Sequence, residues 1–339
     1  MIRRFRSTPA VWASLLLILL LSACSGTPAP ASGTEADSAP PAESSDTTTE
    51  AAAFPRTVEA ANGSVVVERK PERVAVVHWG CVDSILLFDL PSLGLTLPFT
   101  QSDSSLGSDT YKPYIDRVDE LAIVGENTTV NLEALLAYKP DLIIAGSAIN
   151  AEQLEQIEKI ATTVVLDENQ TDVWTDWPSV VTKFGEILGQ EEIARQFIGS
   201  YQSRLAEARA QLADTAGSAA FLQVRADTAW LGGTKTLTPY YDKGLGLTPL
   251  DDPAAADGSE LSLEGLAKLD PDYLFLGYFN YDNPDAASVT DEWEKTEVWK
   301  SLQAVKENRV YPLNGILAMG YGPLGHLYGI EAVTDALTR

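Results

Sequence analysis

The chain is poor in cysteine, histidine and positive charge, and each shortage excludes a class of protein. Its 339 residues include two cysteines and two histidines, which are too few for a disulfide framework and unfavourable for a histidine-rich zinc site. Lysine and arginine number 24 against 48 aspartates and glutamates, for a formal net charge of −24. Nucleic acids and anionic lipid surfaces are bound through clustered Lys and Arg, so neither is expected as the main partner.

Signature motifs of common enzyme classes are also absent. The sequence contains neither a Walker A motif nor a G-x-S-x-G nucleophile elbow. Residues 320–325 match G-x-G-x-x-G, but only fourteen residues follow, too few for a βαβ unit with its ribose-binding acid. Asp251, Asp252 and Asp282 are interpreted as solvated surface acids because acids are abundant here, and not as catalytic carboxylates. A lipid-anchored extracytoplasmic hydrolase is kept as an alternative from a different class.

Apart from these shortages, the composition is that of a globular protein. Apolar residues make up 45% of the chain and charged residues 21%, a balance that provides enough apolar surface to build a core. The length permits one large domain or two domains of ordinary size.

The first 23 residues have the layout of an export signal. Three arginines precede an apolar run from Val11 to Leu21, and small residues then lead into Cys24. This run is shorter than the roughly 20 apolar residues of a membrane-spanning helix, so residues 1–23 are predicted to be a cleaved signal peptide. The small residues before Cys24 resemble the lipobox of bacterial lipoproteins, which implies that Cys24 carries a lipid. An ordinary secretory signal with a chance cysteine is the alternative.

The composition changes abruptly after Cys24. From residue 25 to residue 53, 24 of 29 residues are Ser, Thr, Gly, Pro or Ala, and the other five are acidic. Such a segment buries too little apolar area to offset the entropy lost on ordering it. Residues 24–53 are therefore predicted to be a lipidated cysteine followed by a disordered tether.

From residue 54 onward, strand patterns alternate with helical patterns in two sets. Apolar runs interpreted as buried strands occur in both halves of this body: Arg73–Val77, Leu142–Ala145 and Thr163–Leu166, then Phe221–Val224, Tyr273–Leu276 and Arg309–Leu313. Strands that alternate with helices are typical of α/β units with a largely parallel sheet. We therefore predict an α/β protein with two Rossmann-like lobes, at residues 54–189 and 214–339.

A long helix is predicted between these lobes, at residues 190–213. Ile193, Phe197, Tyr201 and Leu205 recur every four residues, which places them on one helix face. Such a helix would extend roughly 34 Å at about 1.5 Å per residue. It could bridge two lobes rigidly or pack on a single sheet, and the α/β sets on both sides of it favour the bridge.

An internal repeat relates the two lobes. Residues 131–146 read NLEALLAYKPDLIIAG and residues 262–277 read SLEGLAKLDPDYLFLG, with six of sixteen positions identical. Each segment is predicted to be a helix capped by its first residue, then a Pro-Asp turn and a buried strand. Glu133 and Glu264 fall at the second helical position, where the helix dipole favours a negative charge. The same acid at the same point of each lobe also suits a symmetric docking surface.

Several short motifs occur in order along the body: FPRTV from residue 54, KPERV from residue 70, the two L-E…P-D repeats, and WKSLQAV from residue 299 before RVY at residue 309. With these motifs, residues 54–339 resemble the substrate-binding lipoproteins of ABC importers for ferric siderophores, haem and cobalamin. Members of that class have two α/β lobes joined by one rigid helix. In them, one glutamate on each lobe docks onto the permease, and Glu133 and Glu264 match those positions.

The resemblance implies a transport receptor and not an enzyme. It implies a ferric siderophore as ligand without any cofactor, and an ABC permease dimer with its cytoplasmic ATPase as partner. The expected protein is a monomer, lipid-anchored at the outer face of the cytoplasmic membrane. A haem or cobalamin receptor on the same fold is the alternative within this class.

The ligand is expected between the lobes, beside residues that follow strands. Arg225 ends the first strand of the second lobe, where the resemblance implies an arginine, and a guanidinium can pair with chelate oxygens. Aromatic rings would cover the apolar parts of the ligand. The predicted ligand-binding residues are Arg225, Trp79, His78, Trp230, Tyr278, Tyr281, Tyr321, Tyr240 and Tyr241, and none is expected to bind a metal directly.

Three further residues receive an interpretation from their context. His78 either lines the pocket or caps neighbouring backbone, and the sequence leaves both open. His326 is predicted to open the last helix in a structural role. Cys81 lacks a partner once Cys24 carries a lipid, and a buried, unreactive thiol is expected.

Overall fold

The computed structural model of the protein describes residues 54–283 and 285–339. The predicted signal peptide at residues 1–23, the lipidation site Cys24 and the tether to residue 53 lie outside the described residues. Within the part that is described, none of the helices has both the length and the apolar character needed to cross a membrane.

A short antiparallel hairpin begins the described chain. Its strands are β1 (Arg56–Ala60) and β2 (Gly63–Val67). Gly63 follows the turn with a φ of +98°, a conformation that side chains on L-residues disfavour. The Ala61 amide donates to the Val165 carbonyl at 2.8 Å, which attaches the hairpin to the first sheet.

The first lobe is built on a six-stranded sheet with the strand order β6-β5-β4-β3-β7-β8. Its strands are β3 (Arg73–Val76), β4 (Ser92–Thr96), β5 (Glu120–Glu126), β6 (Thr129–Val130), β7 (Leu142–Gly146) and β8 (Thr163–Leu166). The pairs are parallel, except that edge strand β6 runs antiparallel to β5. Without β6 this is the Rossmann order, which reverses between β3 and β7, and ligands bind beyond the strand ends at such a reversal.

The helices of the first lobe cover the faces of this sheet. They are α1 (Val82–Ile85), α2 (Lys112–Ile115), α3 (Leu132–Tyr138), α4 (Leu154–Ile157) and α5 (Trp177–Leu188), with 3-10 turns at Trp79–Cys81, Gln101–Asp103 and Ser105–Gly107. The α5 helix ends at Gly189, whose φ of +67° gives the left-handed cap common at helix C-termini.

The long helix predicted after the first lobe is α6 (Glu191–Gln211). Glu191 and Glu192 occupy its first turn, where negative charge is favourable. Tyr201 is buried on the helix, and Ile193, Phe197 and Leu205 pack against the same apolar cluster, as their spacing predicts. Along the chain, α6 connects the first sheet to the second.

The second lobe is built on a mixed five-stranded sheet with the order β11-β10-β9-β12-β13. Its strands are β9 (Ala219–Val224), β10 (Ala229–Leu231), β11 (Ser259–Glu260), β12 (Tyr273–Tyr278) and β13 (Val310–Asn314). Strands β9, β12 and β13 are mutually parallel, whereas β10 and β11 pair in antiparallel fashion. Its helices are α7 (Ala254–Asp257), α8 (Leu263–Leu269), α9 (Thr290–Trp293), α10 (Glu297–Ser301), α11 (Gln303–Lys306), α12 (Gly315–Ala318) and α13 (Pro323–Thr338).

One apolar cluster extends through both lobes. It contains Val74 and Leu95 of the first sheet together with Phe221 and Phe275 of the second, and all four are buried. Helix α13 follows the second lobe in the chain but packs on α1 and α6, which continues this core across the molecule. The prediction of an α/β protein with two lobes is confirmed.

Candidate functional site

A cavity of about 250 Å³ lies where strand ends of the two sheets face each other. The first lobe contributes residues that follow β3 and β4, among them Trp79 and Phe99. The second lobe contributes residues that follow β9, β12 and β13, among them Arg225, Phe279 and Tyr321. Crevices beyond the C-terminal ends of parallel strands are the usual ligand sites of α/β sheets, and the sequence predicts the ligand in this region.

Arg225 presents a charged group to the cavity from a fixed backbone. Its amide donates to the Thr228 carbonyl at 3.0 Å, and its own carbonyl accepts from the Val289 amide at 2.9 Å. The guanidinium carbon lies 4.7 Å from the centre of the Phe279 ring. Within residues 54–283 and 285–339 the guanidinium forms neither a salt bridge nor a hydrogen bond, so its donors are available to a ligand.

Two aromatic rings of the cavity wall, Trp79 and Tyr321, pack against Trp174 at the junction of the lobes. Trp79 lies 4.7 Å from Trp174, and Tyr321 of the second lobe lies 4.9 Å from Trp174 and 6.3 Å from Trp79 between ring centres. Gly80 allows this packing, because a Cβ atom there would lie 2.7 Å from the Trp174 ring. Trp79 and Tyr321 thus lie on the cavity wall, and their part in ligand binding stays a prediction.

Asp83 is a buried carboxylate in the same wall. It accepts hydrogen bonds from the Leu324 and Gly325 amides, at 2.8 and 3.0 Å, and from the Tyr111 hydroxyl at 2.8 Å. Gly322, which precedes α13, has no side chain to cap that helix. Asp83 of the first lobe therefore accepts hydrogen bonds from the amides in the first turn of α13. Burial raises the pKa of Asp83 from 3.8 to about 6, although these donors act in the opposite direction.

His78 is buried and serves as a backbone cap. Its Nδ1 accepts from the Gly80 amide at 3.1 Å, which leaves Nε2 to donate to Glu168 at 3.2 Å. Burial lowers the pKa of His78, and the nearby Glu168 carboxylate only partly opposes that effect. His78 is not among the residues that line the cavity, so the capping alternative describes its position in the structure.

The other histidine and the described cysteine are also buried. His326 lies in the first turn of α13, with Nε2 at 3.0 Å from the Gly320 carbonyl, and burial lowers its pKa to about 4. The Cys81 thiol is buried, which raises its pKa. Within the residues that the structure describes, no cluster of three or more His, Cys, Asp or Glu is arranged to hold a metal ion.

The expectation that Tyr240 and Tyr241 face the ligand is corrected by their burial in the core. Tyr240 is completely buried, stacks on Phe221 with 4.4 Å between ring centres, and donates its hydroxyl to the Ala318 carbonyl. The Tyr241 hydroxyl donates to the Ala219 carbonyl at 3.3 Å. Burial raises the pKa of both hydroxyls. Neither ring is placed where it can contact a ligand in the cavity.

Trp230, Tyr278 and Tyr281 belong to the second lobe and are not among the residues that line this cavity. Trp230 is exposed on β10, where it pairs with Gln223 and Glu260 across the sheet. The half-buried Tyr278 makes a 3.0 Å hydrogen bond with the Thr290 hydroxyl. Tyr281 is 43% exposed. Trp230 lies opposite the cavity residue Gln223, and the part of all three side chains in ligand binding stays a prediction.

Glu133 and Glu264 occupy equivalent positions on α3 and α8. Both side chains are exposed, and both follow a helix cap: the Asn131 side chain accepts from the Glu133 and Ala134 amides, and the Ser262 hydroxyl accepts from the Gly265 amide. Neither carboxylate forms a hydrogen bond or salt bridge within the part of the chain that the structure describes. Both acids are thus free to meet a partner, and their docking role stays a prediction.

Several cavity residues are not identified by the sequence reasoning. Phe279 directly follows Tyr278, so the strand-end rule points to the right segment but selects its neighbour. Asp83 of the wall, and Trp174 that packs behind the wall rings, come from segments that are distant in the chain from their contacts. Asp83 and Leu324 are 241 positions apart, and no local signal in a single sequence reports such a contact.

Comparisons with known proteins agree with this architecture. A family model described as periplasmic binding protein matches residues 76–316. The iron-uptake system-binding protein of Bacillus subtilis is 28% identical over 68% of this chain and 72% of its own length. The iron(3+)-hydroxamate-binding protein FhuD of the same organism is 24% identical over 99% of both chains.

A solved structure gives the same result for the fold. The triscatecholate siderophore-binding protein FeuA from Bacillus subtilis, complexed with ferri-bacillibactin, superimposes with a TM-score of 0.64 at 25% identity, over 84% of this chain and 98% of FeuA. Because the family model covers more than half of the sequence, the chain belongs to the periplasmic binding protein family. This membership confirms the predicted family resemblance and the prediction of a binding protein and not an enzyme.

Proposed function

We propose that this periplasmic binding protein captures a ferric siderophore outside the cytoplasm and delivers it to an ABC permease dimer for iron uptake. The observation that carries the proposal is the cavity between the lobes, where the Arg225 guanidinium lies on the Phe279 ring and has no partner among residues 54–283 and 285–339. A guanidinium pairs well with the oxygen atoms that surround chelated iron. The rings of Trp79 and Tyr321 provide apolar cover beside it. The iron-related names of the relatives support the same ligand class.

Anchoring by a lipid on Cys24 is part of this proposal. The n-region, apolar run and small residues before Cys24 support it. A fatty-acid label incorporated in growing cells should be found on the unmodified protein and not on Cys24→Ala. A label that persists in the variant would refute this anchor while leaving ligand capture unaffected.

The third part of the proposal is that the protein docks onto the permease through Glu133 and Glu264. Their symmetric positions on α3 and α8, their exposure and their lack of partners in the described chain support it. The protein would act as a monomer. Glu133 of the first lobe would contact one permease subunit, and Glu264 of the second lobe would contact the other.

A titration of intrinsic tryptophan fluorescence tests ligand capture. The purified protein is titrated with ferric siderophores of several classes, with haem and with cobalamin. We expect saturable quenching by at least one ferric siderophore, because Trp79 lies in the cavity wall. Trp293→Phe should preserve this signal, since Trp293 packs against a second apolar cluster, within the second lobe, and is not a cavity residue. Tight binding of haem or cobalamin alone would favour those alternatives, and turnover of a test ester without any binding would favour a hydrolase.

A further inference from the structure

Charged side chains are scarce around the cavity. Among its described lining residues, Asp83 and Arg225 are the charged ones. A shallower pocket shares Arg225 and Phe279 with the cavity and adds one further charge, the exposed Asp103. The Asp103 carboxylate accepts the Thr100 hydroxyl at 2.5 Å, and it has no cation beside it among these residues. The two pockets together therefore contain one positive charge and two carboxylates.

The rest of the wall is apolar or carries uncharged polar groups. Trp79, Phe99, Phe279, Ile316 and Met319 present apolar surface. Gln223 presents an amide that can donate to a neutral oxygen, and Ser104 adds an uncharged hydroxyl that donates to the Gln101 carbonyl at 2.8 Å. Such a wall is suited to a ligand with polar oxygens but little net charge.

The net negative charge of residues 54–339 also disfavours a polyanionic ligand. Residues 54–339 contain 21 basic and 43 acidic residues, a net charge of −22. Twelve lysines and arginines of the described chain are paired with surface acids. A polyanionic ligand would thus be repelled during approach and would then lie in the cavity with most of its charge unpaired, which is costly on burial.

The main ferric chelates differ in charge. Three singly charged hydroxamates balance the ferric ion and give a neutral complex, whereas three doubly charged catecholates leave a trianion, and citrate-type chelates are also anionic. Provided that the protein captures ferric siderophores as proposed above, we propose that its ligand is an uncharged ferric trihydroxamate and that the site rejects polyanionic chelates. Arg225 then donates to hydroxamate oxygens, and the Gln223 amide donates to an amide carbonyl of the ligand.

The test compares chelates of equal denticity and different charge. The protein is titrated with ferrichrome, an uncharged hexadentate trihydroxamate, and with ferric enterobactin, a hexadentate triscatecholate. We expect ferrichrome to bind at least 100-fold more tightly (about 2.7 kcal/mol). Its affinity should change less than twofold between low and high salt, because screening acts on charged pairs. Equal or tighter binding of the triscatecholate would overturn the proposal but not siderophore capture, whereas binding of neither chelate nor any other siderophore would overturn both.

A charge-gain variant tests the physical cause. Ser105→Lys adds a cation to the cavity wall, and Ser105→Gln is a matched variant of similar polarity without charge. Ser105 is half-buried, and its hydroxyl has no hydrogen bond within the described chain. We expect Ser105→Lys to improve triscatecholate affinity about tenfold relative to Ser105→Gln, with ferrichrome affinity within threefold in both. Equal triscatecholate affinity in the two variants would contradict selection by charge.

Discussion

Arg225 is the residue on which ligand affinity should depend most. Arg225→Ala removes the positive charge from the cavity wall, and hydrogen bonds to charged groups contribute about 1.5–3 kcal/mol. We therefore expect the variant to bind a ferric siderophore about 10- to 100-fold more weakly in a calorimetric titration. Arg309→Ala is a matched control, because Arg309 stacks on Tyr273 at 5.0 Å but lies outside the cavity wall. Unchanged affinity in Arg225→Ala would remove Arg225 from the site.

The raised pKa of Asp83 predicts that the free energy of unfolding decreases as the pH rises. Its pKa is raised from 3.8 to about 6, so the folded state binds the proton more tightly than the unfolded state does. The resulting stabilisation is complete below about pH 3.8 and is lost as the pH rises through about 6. At about 1.4 kcal/mol per pKa unit, the loss amounts to about 3 kcal/mol.

Asp83→Asn does not titrate and isolates this contribution. The free energies of unfolding of the two proteins, measured in urea at several pH values, should diverge by about 3 kcal/mol between about pH 4 and pH 7. Asp119→Asn, an exposed acid without a hydrogen bond among the described residues, should show no such divergence. A constant difference between Asp83→Asn and the unmodified protein would contradict the raised pKa.

The sequence predicts those cavity residues that lie directly after a strand, because their place in the chain determines their place in the fold. The sequence predicts Arg225 and Trp79 because each lies at or just beyond the end of a predicted strand, where parallel sheets form their crevices. Tyr240 and Tyr241 were misplaced because a loop aromatic can turn towards the core as readily as towards a cleft. Asp83 was missed since its partners belong to a helix at the other end of the chain.

At the scale of elements, the repeated Pro-Asp turn has a structural role that its sequence does not reveal. The Asp141 carboxylate accepts the Glu72 and Arg73 amides at 3.0 and 3.1 Å. Asp272 accepts the Ser218 amide at 2.7 Å. In each lobe, the aspartate before one parallel strand thus fixes the start of the neighbouring strand, which is β3 in the first lobe and β9 in the second.

Removing this carboxylate should destabilise the fold. Asp141→Ala leaves two backbone amides at the start of β3 without their acceptor, at an expected cost of about 1–3 kcal/mol. We expect a corresponding decrease in the urea midpoint without a change in the slope of the transition. Asp119→Ala is the matched exposed control. An Asp141→Ala variant as stable as this control would show that water replaces the carboxylate without cost.

Element boundaries follow from the sequence only where packing does not intervene. Helix α1 has a single turn that ends at Ile85, although Leu86 and Leu87 would suit a longer helix. Strand β4 was not predicted because its sequence SLGLT contains a glycine. Gly94 is needed there, since a Cβ atom would lie 2.9 Å from the Tyr138 ring.

The glycine-rich motif at residues 320–325 has a packing explanation. A Cβ atom at Gly322 would lie 2.2 Å from Asp83 Cβ, and one at Gly325 would lie 2.5 Å from the Leu317 carbonyl oxygen. The glycines therefore allow the first turn of α13 to approach Asp83, which caps it. This agrees with the exclusion of a dinucleotide site, because the same spacing serves contact between protein segments.

At the scale of the whole molecule, the two lobes share a continuous apolar cluster. The cluster includes Phe184 of α5, Tyr201 of α6 and Ile330 of α13, besides residues of both sheets. Closely packed interiors resist gradual deformation, so a modest change in lobe orientation on ligand binding is expected. The receptor would then present nearly the same distance between Glu133 and Glu264 to its permease in both states.

Transport should therefore depend on both lobes at once. Glu133→Lys combined with Glu264→Lys reverses the charge at both predicted docking positions, and we expect iron uptake by cells to be abolished. The affinity of the purified variant for its siderophore should change less than twofold, because both acids lie on α3 and α8, outside the cavity wall. Each single reversal should reduce uptake less than the double reversal does.

The matched control reverses two other acids, one on each lobe. Glu152 and Glu307 are exposed and, within the described chain, make no side-chain hydrogen bond, so Glu152→Lys with Glu307→Lys changes the net charge by the same amount. Uptake should be normal in this control. A change in net charge alters only the long-range electrostatic potential of the protein, whereas docking depends on contacts at specific positions. Equal loss of uptake in both double variants would attribute the effect to net charge, and reduced siderophore affinity in Glu133→Lys with Glu264→Lys would refute a pure docking role.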